Sequence, residues 1–272
     1  MKKSYVIILT ATFLLGLASC GGKKAGDATQ EAAAADAGTI SKSVLTEEIK
    51  QETISLLTDL PASDIPQRIA AGEVEIAVGN LSYMLAPSKA AELTTASQKA
   101  RALGIYIADY NVLRVLGQPL ETIEGVLAKL TSDLDITFVL NTLKASPLPA
   151  GKDEIRGMLR AQEEAVINTL AANDKINVAV ELLGGLAVEN AYLYANPSLM
   201  VKGDISYVET LSDNMLKRFD ILGEIVGDIS AYYPELKTLN ETLSLLPDKL
   251  TSVDTARKAN AEISGIRNQL LK

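Results

Sequence analysis

The chain has 272 residues, is 47% hydrophobic, and carries 26 basic against 34 acidic side chains, a formal net charge of −8. This charge argues against nucleic acid as a partner, because an acidic surface repels phosphate backbones. The sequence contains no histidine and a single cysteine. It therefore excludes Ser-His-Asp and Cys-His catalysis, ordinary zinc sites and an intrachain disulfide.

The first twenty residues have the organisation of an export signal. Lys2 and Lys3 precede an apolar run from Tyr5 to Leu17, and Leu-Ala-Ser-Cys follows, ending at Cys20. The run is too short for the roughly 20 residues that span a bilayer, so it predicts a cleaved signal peptide. Small residues before a cysteine form a bacterial lipobox, which predicts cleavage after residue 19 and lipidation of Cys20. The alternative is an ordinary cleaved signal followed by an unrelated cysteine.

Residues 20–40 are rich in alanine, glycine and lysine and predict a flexible tether, with a root-mean-square span of about 25 Å. Loss of Lys2 and Lys3 leaves 24 basic residues against 34 acidic ones, a net charge of −10. Lipid rather than charge must then attach the mature protein to its membrane. We predict a cell-envelope location, on the outer membrane and facing the periplasm.

Residues 41–272 show helical spacing of apolar side chains almost throughout, which predicts an all-α domain. We expect an irregular bundle of eight to ten helices. Within Glu73–Met84 the apolar residues alternate as in a strand, but no second strand is evident, so a helix is predicted there. Single long helices are predicted from Pro87 to about Leu116, with a mild interruption at Gly104, and from Val253 to Leu271.

The two halves of the domain, which meet near residues 144–152, share a spacing that is one sign of an internal repeat. Leu103-Gly104 is followed five residues after the glycine by Asp109, and Leu183-Gly184 is followed at the same distance by Glu189. A chance recurrence of leucine-glycine pairs is the alternative. Glycine inside a helix costs about 1 kcal/mol relative to alanine, which predicts that these helices approach a neighbour closely.

The same two segments carry a family resemblance. Leu103–Asp109 resembles the leucine-glycine-valine-tyrosine-x-alanine-aspartate segment of a group of uncharacterised all-helical lipoproteins of Bacteroidetes type. Gly184–Leu193 is similar to that group's second segment, two glycines followed by a glutamate and a tyrosine, although Leu186 stands where the group tends to have tryptophan. The resemblance implies an exported, all-helical lipoprotein and brings no activity with it.

Asp109 and Glu189 are the best candidates for a site, because each lies among apolar neighbours, where burial raises a carboxyl pKa. A facing pair would suit proton transfer or a hard cation such as Ca²⁺. Alternatively, each is a structural acid paired with a tyrosine or with a base such as Arg101. Nearby tyrosines either line a pocket or act as rigid packing. They are Tyr106, Tyr110, Tyr192 and Tyr194.

A further candidate is Thr255. Asp254-Thr255-Ala256 fits the short aspartate-threonine-small pattern of O-glycosylation in Bacteroidetes, and the alternative is the first turn of a helix. No catalytic residue, metal site or cofactor is predicted.

The expected role is a non-catalytic protein-binding or scaffolding module, with another envelope protein as partner and no nucleic acid. The alternative role is a small-molecule or cation-binding lipoprotein with an interhelical pocket near Asp109 and Glu189. A pocket protein should place both acids at one cavity. A scaffold should expose an apolar patch of several hundred Å².

Overall fold

The computed structural model of the chain describes residues 45–61, 65–76, 83–202 and 206–272, and in the last range the side chains from residue 209 onward. The predicted signal peptide, Cys20 and the tether lie outside the described residues. The domain is mostly helical, as predicted. Its α-helices are α1 (Glu47–Thr58), α2 (Ile65–Ala70), α3 (Ala96–Val115), α4 (Glu121–Asp133), α5 (Phe138–Ala145), α6 (Lys152–Ala172), α7 (Ile176–Ala195), α8 (Ser206–Ile229), α9 (Lys237–Leu243), α10 (Val253–Lys258) and α11 (Asn260–Leu270).

Two short strands correct the all-helical prediction. The strand β1 (Val74–Ile76) pairs antiparallel with β2 (Leu199–Val201), so the helix predicted across Glu73–Met84 is wrong in this part. Alternation along β1 buries its two apolar side chains and exposes Glu75 between them, as a half-buried strand requires. The partner strand went unrecognised because it is three residues long and more than 120 residues away.

Two predicted helices are divided in the structure. Pro87–Glu92 forms a separate 3-10 helix, and α3 begins at Ala96 with Thr95 as its N-cap residue. The hydroxyl of Thr95 accepts from the backbone N–H of Gln98 at 3.2 Å, and the side-chain oxygen of Gln98 accepts from the backbone N–H of Thr95 at 3.0 Å. This reciprocal capping box fixes the start of the helix. Helix α3 then passes Gly104 without interruption. The predicted C-terminal helix divides at Ala259 into α10 and α11.

Helices α3 and α7 form the centre of the domain. Every residue of α7 is buried, and α3 is buried from Ala100 to Leu113. Arg101 contacts Glu181 near the start of both helices, and Asp109 contacts Glu189 further along both. The two helices therefore run side by side in the same direction. Helices α6, α8, α10 and α11 pack on α7, and α2 and α4 pack on α3.

Helix α7 is also, among the described residues, the one helix long and apolar enough to cross a membrane, with a mean hydropathy of 1.2. Of that apolar window, 94% is buried inside the domain. A helix that is apolar all round and enclosed by other helices is typical of a protein core. Its composition therefore reflects its central position.

Glycines allow the two central helices to touch backbone to backbone. A Cβ atom on Gly104 would lie 1.9 Å from the carbonyl oxygen of Leu182, and one on Gly185 would lie 2.0 Å from that of Arg101. Gly184 instead faces a leucine side chain of α9. The predicted close approach is confirmed, and it brings the two segments with shared spacing into direct contact.

Candidate functional site

The two predicted acids meet at the interface of α3 and α7. Asp109 is 1% exposed and Glu189 is fully buried. The two carboxyl groups interact with each other, and a hydrogen bond between two carboxyls requires that one of them carries a proton. Asp109 Oδ2 also accepts from the backbone N–H of Leu85 at 3.2 Å. The sequence therefore identified a pair that the fold brings together from two distant segments.

Arg267 completes this group and was missed by the sequence analysis. Its Nη2 donates to Glu189 Oε1 at 2.8 Å, and its Nε donates to Glu189 Oε2. The two bonds form a bidentate ion pair. The guanidinium lies 4.3 Å from the centre of the Tyr192 ring, within cation–π range. The signal that could have revealed Arg267 is its place on the buried face of α11, between Ile263 and Leu270. We call Asp109, Glu189 and Arg267 the acid–arginine cluster.

Burial decides where the proton of this cluster resides. Desolvation, and then the charge of Glu189, raise the pKa of Asp109 well above its ordinary value of 3.8. Desolvation raises the pKa of Glu189 as well, but the Arg267 guanidinium opposes that effect. We therefore assign the proton to Asp109 and the negative charge to Glu189. The cluster is then neutral, which keeps the cost of burying it low.

The four predicted tyrosines do not form one group. Tyr106 donates its hydroxyl to the carbonyl of Ala86 at 2.7 Å, and Tyr192 lies against Arg267. Tyr110 is buried on α3 but outside the wall of the pocket described next, and burial raises its pKa. Tyr194 lines a different cavity, between α8 and α10. The structure thus brings Tyr106 and Tyr192 to the acids and places the other two elsewhere.

A pocket of about 600 Å³ opens beside the acid–arginine cluster, between residues 84–87, α3 and α4. Its wall is mostly apolar. Asp109 forms part of this wall, whereas Glu189 lies behind it. The expectation that both acids reach one cavity is met by Asp109 alone. The polar side chains in the wall are Tyr106, Asp109, Gln118 and Thr122.

A second buried ion pair lies on the same interface. Arg101 Nη1 is 3.3 Å from both carboxylate oxygens of Glu181. Burial raises the pKa of Glu181 to about 7, and the charge of Arg101 opposes that shift. Arg101 was expected as a partner for Asp109 or Glu189, and the structure pairs it with this third acid instead. The pair takes no part in the pocket wall.

The structure also describes the surroundings of the candidate Ca²⁺ site and of Thr255. No group of three or more acidic or cysteine side chains suited to a metal ion occurs in the described residues. Both Glu189 oxygens already accept from Arg267, which leaves Asp109 as a poor site for Ca²⁺ on its own. Thr255 is half-buried in the first turn of α10, with its hydroxyl 2.9 Å from that of Ser252. Its glycosylation stays a prediction.

No protein-family model, curated protein or solved structure matches the chain. The resemblance to Bacteroidetes lipoproteins therefore stays a prediction.

Proposed function

We propose that the protein is a lipid-anchored binding protein of the bacterial envelope, which holds a small, mostly apolar molecule in the pocket between α3 and α4. The observation that carries this proposal is a pocket of about 600 Å³ with a buried acid in its wall. Small-molecule sites in proteins measure about 300–1,000 Å³ and combine an apolar lining with a few polar groups. This pocket has both properties.

The wall supports binding rather than catalysis. A nucleophile needs a base within hydrogen-bond reach, and the polar side chains of this wall are a phenol, an amide, a hydroxyl and one carboxyl. The phenol of Tyr106 is already engaged with the carbonyl of Ala86. Asp109 interacts with Glu189 and Arg267 in the acid–arginine cluster. Its carboxyl group can therefore orient a polar group of a bound molecule.

The scaffolding role expected from the sequence stays a prediction. In the described part of the chain, the exposed large apolar side chains are Leu148, Met200 and Leu245, on three separate segments. Single exposed apolar residues are normal on protein surfaces and do not indicate a docking face. We therefore give the pocket precedence.

Filling the pocket should weaken the binding of an apolar probe. Val126 is half-buried in the wall, so Val126→Trp places an indole inside the cavity. We expect the affinity for the neutral dye N-phenyl-1-naphthylamine, followed by its fluorescence, to fall at least tenfold. Leu148→Trp adds the same group at an exposed position and should leave the affinity unchanged. Equal binding by Val126→Trp and wild type, or no binding by wild type, would contradict the proposed site.

Lipid anchoring is tested independently of the pocket. In cells fed a labelled fatty acid, wild type should incorporate the label and sediment with membranes, because acyl chains hold it there. Cys20→Ser removes the thiol that the lipobox presents and should lose the label and the membrane association together. Lys24→Ala, four residues away, should keep both. Label retained on Cys20→Ser would show that the cysteine is not the lipidated residue.

A further inference from the structure

The wall of the pocket carries an acid and no base. Asp109 and the phenol of Tyr106 are its ionisable side chains, and no lysine or arginine lines it in the described residues. Arg267 is the cation behind the wall, and both its donated bonds end on Glu189. A ligand carboxylate or phosphate would therefore meet a buried acid without a free cation. The site disfavours anionic molecules.

Without its proton, Asp109 would have an unsatisfied acceptor. Its Oδ1 is buried, and no N–H or hydroxyl group of the described residues donates to it. Its Oδ2 accepts only the Leu85 amide, at 3.2 Å. Buried acceptors are normally satisfied, so a ligand group at this end of the pocket should be a hydrogen-bond donor. Tyr106 already donates its hydroxyl hydrogen to the carbonyl of Ala86, so it does not donate to Asp109.

The acid–arginine cluster needs one further positive charge to be neutral. Its two carboxylates face one guanidinium, so its net charge is zero only when a proton or another cation is bound. The remaining titratable groups facing Asp109 are phenols, whose neutral forms are stabilised by burial. Among the described residues, the titratable groups around it are Tyr83 from the preceding segment, Tyr106 on α3, Glu189 and Tyr192 on α7, and Arg267 on α11.

We infer that the pocket takes an organic cation, an amine with an apolar body, whose ammonium group replaces the proton shared by Asp109 and Glu189. This inference rests on the proposed function and specifies its ligand. On binding, the Asp109 carboxyl releases its proton to solvent, and the carboxylate accepts an N–H of the ammonium, so charge is conserved. Because Asp109 is only 1% exposed, side chains of the pocket wall must shift for the ammonium to reach it.

Three probes with the same hydrocarbon body test this inference on the wild-type protein. Octylamine, octan-1-ol and octanoic acid are compared by displacement of N-phenyl-1-naphthylamine at pH 7, where an alkylamine is charged. We expect octylamine to bind at least tenfold more tightly than octan-1-ol, and octanoate to bind most weakly. Octan-1-ol or octanoate binding as tightly as octylamine would overturn the inference and leave the proposed function standing. Failure of all three, and of the dye, would overturn both.

Proton release gives a second readout. If one proton is released per bound octylamine, calorimetric titrations in phosphate and in Tris buffer should give heats that differ by the difference between the two buffers' ionisation enthalpies. Equal heats would contradict the exchange. Asp109→Asn should reduce the octylamine-to-octanol affinity ratio at least tenfold. Asp228→Asn, at an exposed position of α8, should leave the ratio unchanged. An unchanged ratio in a folded Asp109→Asn protein would place the ammonium elsewhere.

Discussion

Replacing Gly104 or Gly185 by alanine is expected to destabilise the protein by about 3 kcal/mol each, the upper end of the usual cost of overpacking. An added Cβ would lie 1.9 Å from the Leu182 carbonyl oxygen in the first case and 2.0 Å from the Arg101 carbonyl oxygen in the second. Both obstacles are backbone atoms of the opposing central helix, so neither can move aside without separating α3 from α7. Urea unfolding followed by circular dichroism measures the loss.

Two exposed helix glycines provide matched controls. Gly125 in α4 and Gly157 in α6 have open space where a Cβ would lie. Alanine there should stabilise the protein by about 0.5–1 kcal/mol, because it restricts the unfolded chain without a clash. Gly184→Ala should fall between the two classes, since the atoms it meets belong to the flexible Leu239 side chain. If Gly104→Ala behaved like Gly157→Ala, the backbone contact between α3 and α7 would be wrong.

Removing Arg267 is expected to cost about 3–5 kcal/mol, as for other buried pairs that lose one partner. Arg267→Met keeps much of the side-chain volume but leaves the Glu189 carboxylate buried without its cation. Arg160→Met is the control, since Arg160 pairs with Glu164 in an exposed contact one helical turn apart. That change should cost less than about 0.5 kcal/mol. Similar losses for the two variants in urea unfolding would contradict a buried charge at Glu189.

Asp109→Asn should cost much less than loss of Arg267, about 1 kcal/mol, because the amide can donate to Glu189 as the protonated acid does. It should also change how stability depends on pH. Burial raises the pKa of Asp109 above 3.8 in the folded protein, so above that pH the folded state holds a proton that the unfolded state has released. Wild-type stability should therefore fall, relative to Asp109→Asn, as pH rises from about 4 towards the raised pKa.

Urea midpoints of the two proteins at several pH values from 4.5 to 8 measure this difference. Parallel profiles would show that Asp109 is ionised in the folded state, and the assignment of the proton would then be wrong. Since this test needs no ligand, it examines the acid–arginine cluster independently of the binding experiments.

Features that depend on neighbouring residues could be predicted from the sequence. Helical spacing of apolar side chains is local, and it predicted the mostly helical domain that the structure shows. Asp109 and Glu189 could be predicted as candidate site residues because a carboxyl group within an apolar helix needs a partner. The glycines of α3 and α7 were expected at close contacts for a similar reason, since a helix has little other use for them.

Other features depend on distances that no local pattern records. The β1–β2 pair joins residues more than 120 positions apart, and Arg267 reaches Glu189 across 78 positions. The pocket exists only because residues 84–87 and α4 lie beside α3. The sequence by itself determined the helical class and the acids that had to be neutralised. The tertiary structure decided which base neutralises Glu189. It also decided that, of the two acids, Asp109 and not Glu189 lines the pocket. The reason is that packing, rather than local propensity, determines which buried groups meet.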